Sequence, residues 1–192
     1  MPAATPVRPR HAASLVLTRP GPSGLEVLMG RRPRRSAFAP DVFVFPGGGV
    51  EPHDFDAAPL RPLAVTCAVH TGAPPKQAAA LAAAALRETE EETGLVVPDD
   101  HGALTLLARA ITPTNSPIRF HARFFHTQAE PTLGAHADSP ELSDLGFRPL
   151  AEAAKLPLMD VTEAILAALA EPERRPFVYS YRYGRPFRRW LT

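Results

Sequence analysis

The residues whose types and spacing could do chemistry stand together in one run, Arg87-Glu88-Thr89-Glu90-Glu91-Glu92-Thr93-Gly94-Leu95. The stretch leading into it holds two leucines, a string of alanines and then charges, all good helix formers. That pattern predicts a helix over residues 76–93, stopped by Gly94 as a left-handed residue past the last turn. At about 100° per residue, Glu91 and Glu92 fall within roughly 60° of Glu88, whereas Glu90 points to the far side. Ala82, Ala85, Leu86, Thr89 and Thr93 gather on a separate flank suited to packing on a sheet. Three carboxylates at the C-terminal end of a helix oppose its stability. The dipole there favours cations by about 0.3–1 kcal/mol per charge, and Glu88 and Glu92 form a like-charge i,i+4 pair. Clustered carboxylate oxygens with no histidine or thiol beside them suit a hard divalent ion, Mg2+ or Mn2+, better than zinc. A solvated acidic face is the competing reading, since charge runs usually are that.

The elements that must position this helix are short. Residues 12–18 and 25–31 read as two strands, with Pro20, Gly21, Pro22 and Gly24 as hairpin punctuation between them. A basic, Pro-containing loop over residues 31–40 leads to an apolar strand at 41–45, which runs into a turn at Pro46-Gly47-Gly48-Gly49. Residues 52–75 carry Pro52, Pro59, Pro62, Pro74 and Pro75, and only residues 63–69 there suit a short helix. Strands follow at 104–111, 119–127 and 145–150, then a short helix around Glu152 and an amphipathic helix at 161–170. Interspersed strands and helices predict an α/β or α+β domain.

Composition sets outer bounds. The chain has 192 residues, 45% of them hydrophobic and 21% charged, enough to bury a core and unlike a disordered or collagen-like chain. Its 21 basic and 20 acidic residues leave a formal charge of +1, so no bulk field steers it to nucleic acid or membrane. Cys67 is the single cysteine, which fits a reducing compartment. No segment is apolar enough to span a bilayer, and residues 1–10 lack the apolar core of a signal peptide. A cytoplasmic location is expected.

Phe45-Pro46-Gly47-Gly48 and the acidic helix together resemble the signature of the Nudix hydrolases. That signature is a glycine, five residues, Glu, seven residues, then Arg-Glu-aliphatic-x-Glu-Glu-x-Gly-aliphatic. Its second half matches Arg87, Glu88, Glu91, Glu92, Gly94 and Leu95, with Thr89 at the first aliphatic position. Counting from Gly48, the first acidic position is Asp54 in place of Glu, and 32 residues instead of seven separate it from Arg87, a surplus of 25. Such an interruption looks like the branch that includes the peroxisomal coenzyme A diphosphatases and their bacterial relatives. Ile111-Thr112-Pro113, Arg119-Phe120 and Phe124-Phe125 look like that branch too.

The resemblance implies a Nudix fold, a mixed sheet sandwiched between helices. It implies a single domain over residues 1–192, with an insertion at about 55–79 and a basic aromatic tail at about 171–192. It further implies a Mg-dependent hydrolase of a diphosphate linkage, with coenzyme A or acyl-CoA as the favoured substrate. The alternatives are a nucleotide-sugar or oxidised-nucleotide diphosphatase, or a non-catalytic nucleotide-binding module. Glu88, Glu91, Glu92 and the Gly47 carbonyl would bind the cations, and Arg87 would orient the glutamates. Asp54 stands in the place of the missing Glu, with Glu51 as a nearby substitute.

Arg87, Glu88 and Glu92 would be catalytic, together with Glu141 as the general base; Asp144 is the fallback, and a surface acid is the bland reading of Glu141. Arg32 matches an arginine found upstream of the glycines in coenzyme A-cleaving relatives, and Arg35 or Arg34 would supply a second, unless this is only a basic surface loop. Arg119 and Arg123, with His121 and His126, would line a phosphate pocket from the strand at 119–127. The expected partner is a small-molecule diphosphate, with no nucleic acid or membrane, in a protein that could form a homodimer. The tail, mixing arginines with Phe177, Tyr179, Tyr181, Tyr183, Phe187 and Trp190, reads first as a hairpin around Gly184 packed on the body or on a second subunit.

Overall fold

The backbone is organised around β1 (Arg10–Gly21), which folds back through Pro22-Ser23 into β2 (Gly24–Arg31), with Gly21 opposite Gly24. The computed structural model describes residues 7–56, 63, 65–98, 104–129 and 135–192. The pairing of β1 with β2 runs only from Gly21 back to Thr18. Beyond it, the segment of β3 (Phe43–Val44) and β4 (Gly47–Gly49) bridges the two strands. β3 pairs with Gly30 and Arg31 of β2, and β4 pairs with Ala12, Ala13 and Ser14 of β1. The strand expected at 41–45 is therefore only two residues long, because Ala39 and Asp41 adopt left-handed φ values of 45° and 61°. The glycines expected as a turn are a strand instead. A side chain at Gly47 would collide with Ser14 Oγ and the Ala13 carbonyl, so only glycine lets the two backbones come this close.

β5 (Thr105–Ile111) and β6 (Phe120–Gln128) pair antiparallel, and β6 lies parallel to β1 from Arg10–Phe120 to Thr18–Gln128. β5 continues in parallel to β8 (Phe177–Arg182), which turns at Tyr183-Gly184 into β9 (Arg185–Trp190). Both turn residues have positive φ, 51° and 75°, the geometry of a two-residue hairpin turn. β7 (Ser143–Pro149) pairs with β2. The sheet is thus mixed.

Each face of the sheet carries its own apolar cluster. On one, Ala13, Leu15, Leu17 and Phe125 pack with Leu81 and Ala85 of α2 (Pro75–Thr93) and with Cys67 of α1 (Val65–His70). On the other, Val16, Phe124 and Phe177 pack with Ala153 of α3 (Leu150–Ala153) and with Ile165 and Leu169 of α4 (Asp160–Ala170). A mixed sheet between helices is the expected α/β arrangement. The tail packs on the body: Phe177 and Tyr179 are buried, and Trp190 meets Phe177 edge-on at 5.7 Å. Among the described residues no helix is long and apolar enough to cross a membrane.

Helix α2 starts at Pro75, a residue pre-organised for a first turn, so its opening turn lies inside the stretch read as an insertion. It ends at Gly94, with φ 73°. The flank singled out in the sequence is the packed one: Ala82, Ala85, Thr89 and Thr93 are buried. Thr89 Oγ1 donates to the Ala85 carbonyl at 2.7 Å and Thr93 Oγ1 to the Thr89 carbonyl. Those bonds satisfy the hydroxyls within the helix, which is how a threonine can occupy a position where an aliphatic residue is expected. The helix expected at 63–69 is α1, and residues 57–62 and 64 lie outside the described residues. A single 3₁₀ turn, Pro52–Phe55, precedes them and was not foreseen.

The fold makes one pH-dependent prediction. His126 is 9% exposed on β6, its Nε2 2.9 Å from Thr18 Oγ1. Burial chiefly, and then Arg174, hold its pKa down at about 4 from an ordinary 6.5. The folded state prefers the neutral ring, so this contribution to stability is complete above pH 6.5 and is lost as pH falls toward 4. At full extent it is roughly 3 kcal/mol. Urea unfolding between pH 7 and pH 4 is expected to show a shallower loss of stability in His126→Gln than in the parent; equal slopes would contradict this.

Candidate active site

Arg87 is the hub of the site. Its Nε donates to Asp54 Oδ1 at 3.0 Å, and its Nη2 donates to Asp54 Oδ2 at 3.2 Å and to the Gly49 carbonyl at 3.1 Å. Its Nη1 donates to Glu88 Oε1 at 2.8 Å and Glu91 Oε2 at 3.0 Å. All five guanidinium N–H groups are thereby used. The Asp54 hydrogen bond is the largest cause raising the Arg87 pKa above its already high value, against the opposing effect of burial.

Asp54 sits on the 3₁₀ turn, 2% exposed, and its Oδ2 also accepts the Glu51 N–H at 2.7 Å. The 25-residue surplus therefore leaves Asp54 within reach of Arg87. It does not itself face the cavity; Glu51 does.

The glycine strand brings the glutamates in. Glu92, 4% exposed, accepts the Gly47 N–H on Oε2 at 2.8 Å. A Cβ on Gly48 would stand 2.5 Å from the Glu88 carboxyl carbon, so a side chain there would push that carboxylate from its place against the strand. Burial chiefly, and then Glu88 and Glu141, push the Glu92 pKa up to about 8, against the Gly47 N–H and Arg32, which lower it. Glu88 is also raised, by burial first and by Glu91 and Glu141, while Arg87 acts in the opposite sense. Massed, partly desolvated carboxylates resist ionising together, and a divalent cation is the charge that would let them.

These groups line a cavity of about 410 Å³. Its acidic side is Glu51, Glu88, Glu91, Glu92 and Glu141, reached by Arg32 from the end of β2, and Gly47 to Gly49 form one wall. Across from them stand Phe38, Phe120, Phe124, Met159 and Val161. Among the described residues, no three carboxylate, imidazole or thiol groups converge as a ready-made metal cage. Arg87 Nη1 engages both Glu88 and Glu91, and Glu92 is tied to Gly47, so the carboxylates are oriented by these bonds and not by one another.

Several expected residues lie elsewhere. Arg123, 1% exposed, donates to the Thr71 and His121 carbonyls on the opposite face of the sheet. Strand alternation explains it: Phe120, Ala122 and Phe124 line the cavity, so His121 and Arg123 turn away. Arg119 is held by the Val7 and Thr112 carbonyls. Arg35 is exposed and off the cavity, and Arg34 pairs with Asp41. Asp144, with φ 50°, pairs with Arg148 and does not line the cavity either. The sequence reading missed Phe38, Met159 and Val161. Applying period-two alternation to residues 120–124 would have exposed the aromatic wall and removed Arg123.

The family model for the NUDIX domain matches residues 8–178. Among solved structures, a NUDIX hydrolase from Alicyclobacillus acidocaldarius is 28% identical, with a TM-score of 0.69 over 87% of this chain and 92% of that one. The NUDIX domain of Shewanella oneidensis NrtR, solved with ADP ribose, is 16% identical with a TM-score of 0.58 over 84% and 86%. The MutT protein from Bacillus halodurans is 17% identical with a TM-score of 0.57 over 94% and 97%; these last two likenesses concern the fold alone. No curated relative matches the chain.

Asp54→Ala would leave the half-buried Arg87 fork without its main partner. Breaking such a pair is expected to cost about 3 kcal/mol, read as a lower urea midpoint with an unchanged m-value. A loss below about 1 kcal/mol would mean that Asp54 does not hold Arg87.

Proposed function

The chain belongs to the Nudix family of hydrolases, and from that premise we propose that its cavity binds Mg2+ or Mn2+ and hydrolyses a diphosphate linkage in a nucleotide-type substrate. The observation that carries this reading is the gathering of Glu88, Glu91 and Glu92 with Gly47 and Glu141 on one cavity. The donor set is all oxygen, which suits a hard ion. Glu88, Glu91, Glu92 and the Gly47 carbonyl are the groups that would hold it. Glu91, with 57% of its side chain exposed, is the one freest to leave Arg87. A divalent ion bound there offsets charge on the diphosphate and lowers the pKa of an attacking water.

The remaining roles fall to the chain's own residues. Arg87 has no free donor, so it positions the glutamates. Arg32 has no ion-pair partner among the described residues and lines the cavity, where it would grip a phosphate. Glu141 faces Glu88 and Glu92 closely enough to raise both, and as general base it would take the proton of the water. The aromatic wall would receive the organic group beyond the diphosphate.

Coenzyme A and acyl-CoA head the substrates to test, because of the interrupted signature. ADP-ribose-like compounds and nucleotide sugars are the second reading, favoured by a cavity in which, among the described residues, Arg32 is the only uncommitted arginine, against the three phosphates of coenzyme A. The non-catalytic reading loses its main support, since Asp54 bonds Arg87 in place of the missing Glu. A cytoplasmic setting, in a protein that could form a homodimer, accompanies this reading.

A panel of coenzyme A, acyl-CoA, ADP-ribose and nucleotide sugars, assayed with Mg2+ for phosphate-bearing products, is the test. Glu92→Gln keeps an acceptor for the Gly47 N–H, so its fold and melting temperature should hold while hydrolysis falls at least a hundredfold; Glu91→Gln should behave alike. Undiminished turnover in both variants would contradict the reading.

A further inference from the structure

The face of the sheet opposite the cavity holds a row of cations. Arg189 lies opposite Val178, Val178 beside Arg109, and Arg109 directly opposite Arg123. Residues directly opposite across paired strands share a face, so the three guanidiniums lie on the side of Ala13, which pairs with Arg123. Two residues further on, His11 pairs with His121, their rings 5.8 Å apart. Arg123 Nη1 stands 3.1 Å from His11 Nδ1. The Thr71-Gly72 linker between α1 and α2 passes over the row, so close that a Cβ at Gly72 would strike the Arg109 guanidinium.

Like charges directly opposite on neighbouring strands oppose pairing, and ordinarily a carboxylate relieves them. Among the described residues none does: Arg109, Arg123 and Arg189 enter no ion pair. Arg123 is accounted for by the Thr71 and His121 carbonyls. Arg109 is not, and its Nε is buried without a partner, as is His121 Nε2. Burial first, and the neighbouring guanidiniums second, hold His121 down at about 3 and Arg123 at about 10. Burial first and a neighbouring guanidinium after it act in the same sense on Arg109.

We propose that Arg109 and Arg189, backed by Arg123 and His121, form a binding site for a phosphate dianion on the sheet face away from the cavity. Adjacent guanidiniums offer paired N–H donors to a tetrahedral oxyanion, and a dianion neutralises two of them at once. Half-buried Arg109 and exposed Arg189 are the members a ligand can reach. The phosphate has two sources, the free inorganic ion or the phosphomonoester end of a nucleotide. The site does not depend on what the cavity hydrolyses.

Calorimetric titration of the full chain without added divalent metal tests this, using sodium phosphate and, separately, 5′-AMP at pH 7, with ionic strength held constant by NaCl. Saturable binding is expected, weakened at least tenfold in Arg109→Gln and in Arg189→Gln and unchanged in Arg35→Gln, an exposed arginine off the cavity. Arg189 is exposed on the edge strand, so that variant still decides the matter if Arg109→Gln misfolds. Binding of both ligands assigns the site to the free anion, and binding of 5′-AMP alone to the phosphomonoester. The His121 imidazole ¹⁵N signals should move toward the protonated position as the site fills. Absence of saturable binding, or binding that Arg32→Gln removes and Arg189→Gln spares, would overturn the proposal.

Discussion

Five N–H groups on one side chain hold this site together. Arg87 joins the end of α2 to the glycine strand through Gly49 and to the 3₁₀ turn through Asp54, and through Nη1 it draws Glu88 and Glu91 toward a common side. A lysine would carry the same charge but could not make a planar fork of bonds. Without those bonds, the last turns of α2 would carry clustered carboxylates at the end of a helix that disfavours them. Arg87 therefore has both a structural and a chemical consequence: it offsets the charge, and it fixes which way the oxygens face.

The sheet supplies the second constraint. Because β1 pairs with β2 along only part of its length, the segment from Phe43 to Gly49 bridges the two strands and comes up against α2. Bare backbone at Gly47 and Gly48 lets the helix carboxylates approach, and the Gly47 N–H orients Glu92. The apolar clusters on the two faces hold strand and helix in place while the cavity opens between the acidic end of α2 and the aromatic residues of β6.

Much of this was legible in the sequence for local reasons. The helix bounds of α2 followed from alanine-rich propensity and Gly94, and the shared flank of Glu88, Glu91 and Glu92 from a 3.6-residue period. The strands β5, β6 and β7 and the tail hairpin followed from apolar runs and turn residues. What stayed hidden depends on partners distant in the chain. That the glycines form a strand is decided by Ser14 and Ala13, and the role of Asp54 by an arginine 33 positions away. Arg119 and Arg123 were misjudged because residue type suggested phosphate binding, whereas their orientation was set by strand alternation and by carbonyls needing donors. Phe38 lies in a loop whose left-handed turns at Ala39 and Asp41 no local pattern announces.

The most direct measurement on the account is Mg2+-dependent diphosphate hydrolysis by Arg87→Lys, compared with the parent at saturating substrate. Lysine keeps the positive charge and loses the fork, so kcat should fall at least a hundredfold, or about 2.7 kcal/mol at 1.36 kcal/mol per decade, while circular dichroism shows the helices intact. A folded Arg87→Lys enzyme with near-parental kcat would show that charge alone suffices and that the five-bond fork does not build the site.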